Sequence, residues 1–255
     1  VALVGTMLAL LSVGGTVWIL FFSALCALLF QVVLVRGVIG RSGAEFRSGY
    51  SLRDSLRRLG AIVSNPVIVY DVVTSFFETG VAVYSVIVLW DLLGGPLPAG
   101  IATAAIEAGF LILAPIMGAV ADRVNKPVHF IALSSVVIAL GYLSLSLGYY
   151  ATSDVGKIAL VGVAVLAFSL SPSLYIPNFQ KFVRGFSKGD AETLTVFSSI
   201  EALQSLTSIP APLIAGVLIS LMGYSYYLLT TALLIIIATI VFMAWYTATA
   251  KRHRQ

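Results

Sequence analysis

Four acidic residues interrupt long apolar stretches of this chain: Asp71, Glu78, Glu107 and Glu201. A carboxylate in hydrocarbon costs several kcal/mol and persists only where it is paired, protonated or wet. Glu78 falls about 16 Å into its stretch, and Glu107 about 12 Å into the next from the opposite end, counted by helix rise. Two carboxyls at similar depth on neighbouring helices can hold a proton on one of them at neutral pH, because burial and a nearby like charge both oppose ionisation. Such a pair suits proton coupling; buried acids hydrogen-bonded to Ser, Thr or Tyr are the alternative. Asp71 precedes Glu78 on nearly the same helix face but close to the helix end, and Glu201 sits at a comparable shallow depth. Both are expected to pair with Arg or Lys as latches of a gate. Tyr175, Asn178, Gln204 and Ser205 are the candidate polar linings of a cavity.

Other chemistries lack their residues. Cys26 is the single cysteine and lies in an apolar run, while His129 and His253 stand far apart, so neither a disulfide nor a metal site is expected. No P-loop, HExxH, GxSxG or paired CxxC pattern occurs. An enzyme is therefore not expected, and no cofactor is implied. The net charge of +4 comes from Lys and Arg in loops, which gives a nucleic-acid partner little to rest on.

The elements that position these residues must be membrane helices. Hydrophobic residues make up 59% of the 255 and charged ones 10%, where a soluble domain carries roughly 25% charged residues. The expected fold is all-α and integral to the cell membrane, with the lipid bilayer as its first partner. A span needs roughly 20 mostly apolar residues, which places spans at about 16–35, 67–93, 98–121, 128–150, 158–180, 194–222 and 225–247. The run Val1–Leu11 before them reaches only about halfway across hydrocarbon at 1.5 Å per residue. It is expected either to be the end of a helix in a fragment or split protein, or to be a short re-entrant start.

Charge supports this division. With loops assigned alternately to two sides, Lys157 alone of the 15 Lys and Arg residues falls on one of them. The basic side is cytoplasmic by the positive-inside rule, and it holds the C-terminus. The basic stretch 36–66 is the long linker. Within it Ser51-x-x-Asp54 resembles a helix start, and Leu52, Leu56 and Leu59 share a face, giving either an amphipathic helix on the inner leaflet or a solvated linker. Asn65-Pro66 opens the next helix.

Pro172, Pro177, Pro210 and Pro212 are expected to kink their spans, since proline removes a helix hydrogen bond. These kinks are candidate bending points for gating; static kinks that improve packing are the alternative. Gly100, Gly109, Gly118 and Gly216 are expected at close helix contacts. Tyr149, Tyr150, Tyr224, Tyr226, Tyr227, Trp90 and Trp245 are expected to form interfacial belts.

Between two of the spans lies a charged turn, Gly118-x-x-x-Asp122-Arg123-x-x-Lys126. It resembles the signature loop of the major facilitator superfamily of secondary transporters, although Asn125 stands where that family usually has Gly, and Pro127 replaces a basic residue. The chain as a whole resembles the last eight spans of such a protein. The resemblance implies a helical bundle of about seven full spans and one partial span. Residues 1–35 would end the N-terminal half, 36–66 would be the central cytoplasmic linker, 67–247 would form the C-terminal half as two inverted three-helix repeats, and 248–255 would be a basic tail. Gly118, Asp122, Arg123 and Lys126 would form a conformational latch. The partners implied are a small-molecule substrate, a proton or other coupling ion, and the remainder of the N-terminal half. The function implied is secondary active transport, proton-coupled and more in keeping with efflux, because the spans are apolar and hold no deep Arg or Lys. The competing reading is a half-transporter without activity of its own, serving as a membrane partner or scaffold.

Overall fold

A computed structural model of the chain describes residues 65–124, 126–186 and 190–252, all within the compact unit Arg58–Gln255. The run Val1–Leu11, the span 16–35, the amphipathic stretch around Ser51–Asp54, Asn125 and His253 lie outside the described residues. The described elements are helices: α1 Pro66–Leu93, α2 Pro96–Val124, α3 Pro127–Gly148, α4 Asp154–Phe186, α5 Asp190–Ser208 and α6 Pro210–Arg252. Among the described residues, five helical runs are long and apolar enough to cross a membrane.

Local sequence explains the boundaries. Pro66, Pro96, Pro127 and Pro210 each open a helix, where the missing N–H would have been unpaired anyway and φ is already helical. Asn65 caps α1, its Oδ1 accepting from the Val67 N–H at 3.0 Å. Gly94 ends α1 at φ 73°, and its N–H donates to the Trp90 carbonyl, a left-handed helix stop that glycine adopts without Cβ strain. Asp154 begins α4, where a carboxylate meets the positive end of the helix dipole.

Pro172 and Pro177 lie inside a continuous α4, and Pro115, not singled out by sequence, lies inside α2. The expected kink at Pro210 is a break: Ile209 is a turn between α5 and α6. A second break falls at Gly223, whose φ of 79° and ψ of 166° are non-helical. Contacts show what that break does. Along α1, Asp71 meets Gln204, Thr79 meets Ser208 and Tyr84 meets Pro212, so α5 and the start of α6 run parallel to α1. Past Gly223 the order inverts, with Gly80 against Tyr227 and Tyr70 bonded to Thr239.

Two apolar clusters hold the bundle. One gathers Val88, Leu89, Leu145, Leu228 and Ile235; the other gathers Ile68, Ile131, Phe179, Val183, Ile200 and Phe242. α3 is central and α2 peripheral: 56% of the apolar window is buried in α3 and 6% in α2. Close approach occurs at Gly109 against Ser169 and at Gly216 against Tyr84, as expected, and also at Gly80 and Gly141. Gly100 is buried. Gly118 departs from expectation, since a Cβ there meets nothing within 4 Å among the described residues. Trp90, Trp245, Tyr150 and Tyr226 are exposed, in keeping with a belt, but Tyr227 is core and fills the space beside Gly80.

Candidate functional site

Helix periodicity gives α1 one polar stripe. Asp71, Ser75, Glu78, Ala82 and Ser85 recur at intervals of three or four residues and so share a face. That stripe lines a partly open cavity of about 300 Å³ formed by α1 to α4. α2 contributes Thr103, Ile106 and Glu107, α3 contributes Ser134, Ser135, Ile138 and Tyr142, and α4 contributes Phe168, Ser171, Pro172 and Tyr175. The cavity thus brings together both deep carboxylates, Glu78 half-buried and Glu107 exposed. Among the described residues neither accepts a hydrogen bond.

Asp71 is different. It is 2% exposed, and its two carboxylate oxygens are each engaged by a neutral donor. The Tyr175 hydroxyl donates to Oδ1, and Gln204 Nε2 donates to Oδ2 at 2.7 Å. Gln204 Nε2 also lies 3.2 Å from Ser75 Oγ, and the Tyr175 ring stacks on Phe179 with centroids 5.1 Å apart. The pairing of Asp71 with Arg or Lys expected from sequence is therefore replaced by a hydrogen-bonded node of uncharged donors joining α1, α4 and α5. Glu201 is exposed on α5.

Of the other candidates, Tyr175 lines the cavity and Gln204 supports it through Asp71. Asn178 does not line it. Its side chain is fully buried, with Nδ2 donating to the Leu174 carbonyl at 2.7 Å, one turn back on its own helix. Ser205 is exposed. The hydroxyls of Ser134, Ser135, Thr103 and Tyr142 were not picked out by sequence. Three of them donate to carbonyls of their own helices, Thr103 to Ala99 and both serines to Ile131, which hides polar residues inside apolar helices.

The charged turn sits at the C-terminal end of α2. Lys181 of α4 reaches it, with Nζ 3.1 Å from the Ala121 carbonyl, 3.5 Å from that of Asp122 and 3.7 Å from Asp122 Oδ1. A cation on the terminal carbonyls complements the negative end of the helix dipole. Arg123 and Lys126 are exposed, and Gly118 is half-buried. A further, wider cleft of about 740 Å³ lies among Asp91, Gly94, Pro98, Asp154, Lys157 and Ile158, where charges of both signs meet.

Among the described residues no group of three or more His, Cys, Asp or Glu is placed to hold a metal ion. No protein-family model and no curated protein matches the chain.

Proposed function

We propose that this chain is part of a secondary active transporter of small molecules, resembling the C-terminal half of a major facilitator protein, with proton coupling through the cavity carboxylates. The observation that carries the reading is the cavity itself: two glutamates without hydrogen-bond partners among the described residues face a space of ligand size inside a bundle of apolar helices. A structural acid would be held, as Asp71 is held.

The helices divide into six crossings in this reading, arranged as two three-helix repeats. The last apolar run, Val196–Thr249, has 54 residues, about 81 Å of helix at 1.5 Å per residue against roughly 30 Å of hydrocarbon. The reversal at Gly223 supplies the division into two. The distribution of basic residues supports a cytoplasmic Asp122 turn and C-terminus, and the apolar and aromatic part of the cavity wall suits an amphiphilic substrate and export.

The test uses proteoliposomes of the full chain loaded with a pH-sensitive dye and challenged with a panel of amines, organic acids and sugars. Substrate-dependent proton flux is expected with at least one class, and Glu78→Gln and Glu107→Gln should each abolish it. Flux unchanged in both variants removes the pair from the mechanism. A second reading rests on the outer face of α2, where Leu97, Ile101, Leu111 and Ile112 are all more than half exposed. There the bundle is a membrane partner or scaffold without transport of its own, and absence of flux with every compound favours it.

A further inference from the structure

The central cavity carries charge of one sign. Among the described residues Asp71, Glu78 and Glu107 line it, and no Lys, Arg or His does. Asp71 is already engaged by Tyr175 and Gln204, which leaves Glu78 and Glu107 as the open charges. The rest of the lining mixes hydroxyls with apolar and aromatic surface: Val81, Leu89, Ile106 and Ile138, with the rings of Tyr142 and Phe168 tilted against each other at 5.3 Å. An aromatic face attracts a cation through its quadrupole. Thr103, Ser134 and Ser135 spend their protons on backbone carbonyls and offer none to an anion. Each of those hydroxyls keeps a lone pair, so it can still accept from a ligand N–H.

We infer that the cavity binds a small organic cation, an amine carried on an apolar or aromatic body, with Glu78 and Glu107 as its counter-charges. The ammonium group sits between the two carboxylates, and the body lies against Tyr142 and Phe168. Charge pairing in a partly buried site is worth more than in water, so charge, rather than shape, separates ligands here. The inference deepens the transport reading and rests on it for the cavity's role, but its test is binding and is independent of flux.

Radiolabelled benzylammonium is titrated onto the full chain in lipid nanodiscs at neutral pH, with empty nanodiscs as the blank. Unlabelled benzylammonium, benzyl alcohol and benzoate then compete; they share a ring and differ in charge. Saturable binding is expected, with benzyl alcohol and benzoate at least about tenfold weaker as competitors, the scale of one charge-assisted contact. Glu78→Gln and Glu107→Gln should each weaken binding by about tenfold or more, while Glu107→Asp, which keeps the charge, should retain most of it. Circular dichroism reports whether each variant folds. If a Gln variant loses helicity, the competition order on the unaltered chain decides. Equal competition by the alcohol or the anion, unchanged binding in both Gln variants, or no saturable binding overturns the inference. Cation binding without proton flux retains this inference and removes the transport reading; flux without charge selectivity does the reverse.

Discussion

Asp71 shows how a single buried carboxylate is accommodated without a cation. Its oxygens receive the Tyr175 hydroxyl and the Gln204 amide, so removing the acceptor leaves buried donors unpaired, which costs about 1–3 kcal/mol per group. Asp71→Leu is therefore expected to lower the thermal unfolding midpoint clearly, whereas Asp71→Asn keeps one acceptor and falls closer to the unaltered chain. Equal losses in the two variants, followed by circular dichroism in detergent, would count against the node. The neighbouring charge contact behaves otherwise. Asp122 is 83% exposed at its side chain and lies 3.7 Å from Lys181, so Asp122→Asn should change stability by less than about 1 kcal/mol. Lys181→Met should cost more than Asp122→Asn, because it also strips the Ala121 carbonyl of its partner. Sequence placed Asp71, Tyr175 and Gln204 among the functional candidates but could not show that they touch. Depth along a helix follows from counting residues, whereas azimuth between helices depends on packing, and Gln204 lies 133 positions from Asp71.

At the scale of the elements, the start of α1 was legible because Asn65 and Pro66 mark it locally, whereas Pro210, expected as a kink, instead opens a helix. The apolar helices α1 to α4 were legible from hydropathy, and the shared face of Asp71 and Glu78 from their spacing. The contacts of glycine were not, since nothing local distinguishes Gly80 from Gly118. A Cβ at Gly80 would come within 2.7 Å of Tyr227 Oη. Gly80→Ala is expected to destabilise the bundle by about 1–3 kcal/mol, as overpacking does, and Tyr227→Phe in the same chain should recover most of the loss. Failure of that rescue, measured by thermal unfolding of the double variant, would show that the hydroxyl is not the obstacle. Gly223 makes the opposite case. A Cβ there meets nothing within 4 Å, yet its backbone occupies a region essentially reserved for glycine, at about 1–3 kcal/mol for any other residue.

For the whole molecule, the arrangement expected from charge makes a prediction of sidedness. In a chain whose Cys26 is replaced by Ser, Gly95→Cys and Lys126→Cys should react with a membrane-impermeant maleimide from opposite faces, Lys126→Cys from the cytoplasmic one. Labelling of both from one side would remove the odd number of crossings between them. Surface composition agrees with a lipid environment, since Leu97, Leu111, Leu166, Leu213 and Leu221 are each more than 65% exposed, and such residues are costly in water. The sharp reversal at Gly223 has a consequence for biosynthesis. No polar linker separates the helix before it from the helix after it, so the ribosome delivers them to the membrane as one continuous apolar message. On the six-crossing reading proposed above, the two segments are expected to enter together, as a hairpin folded about that glycine.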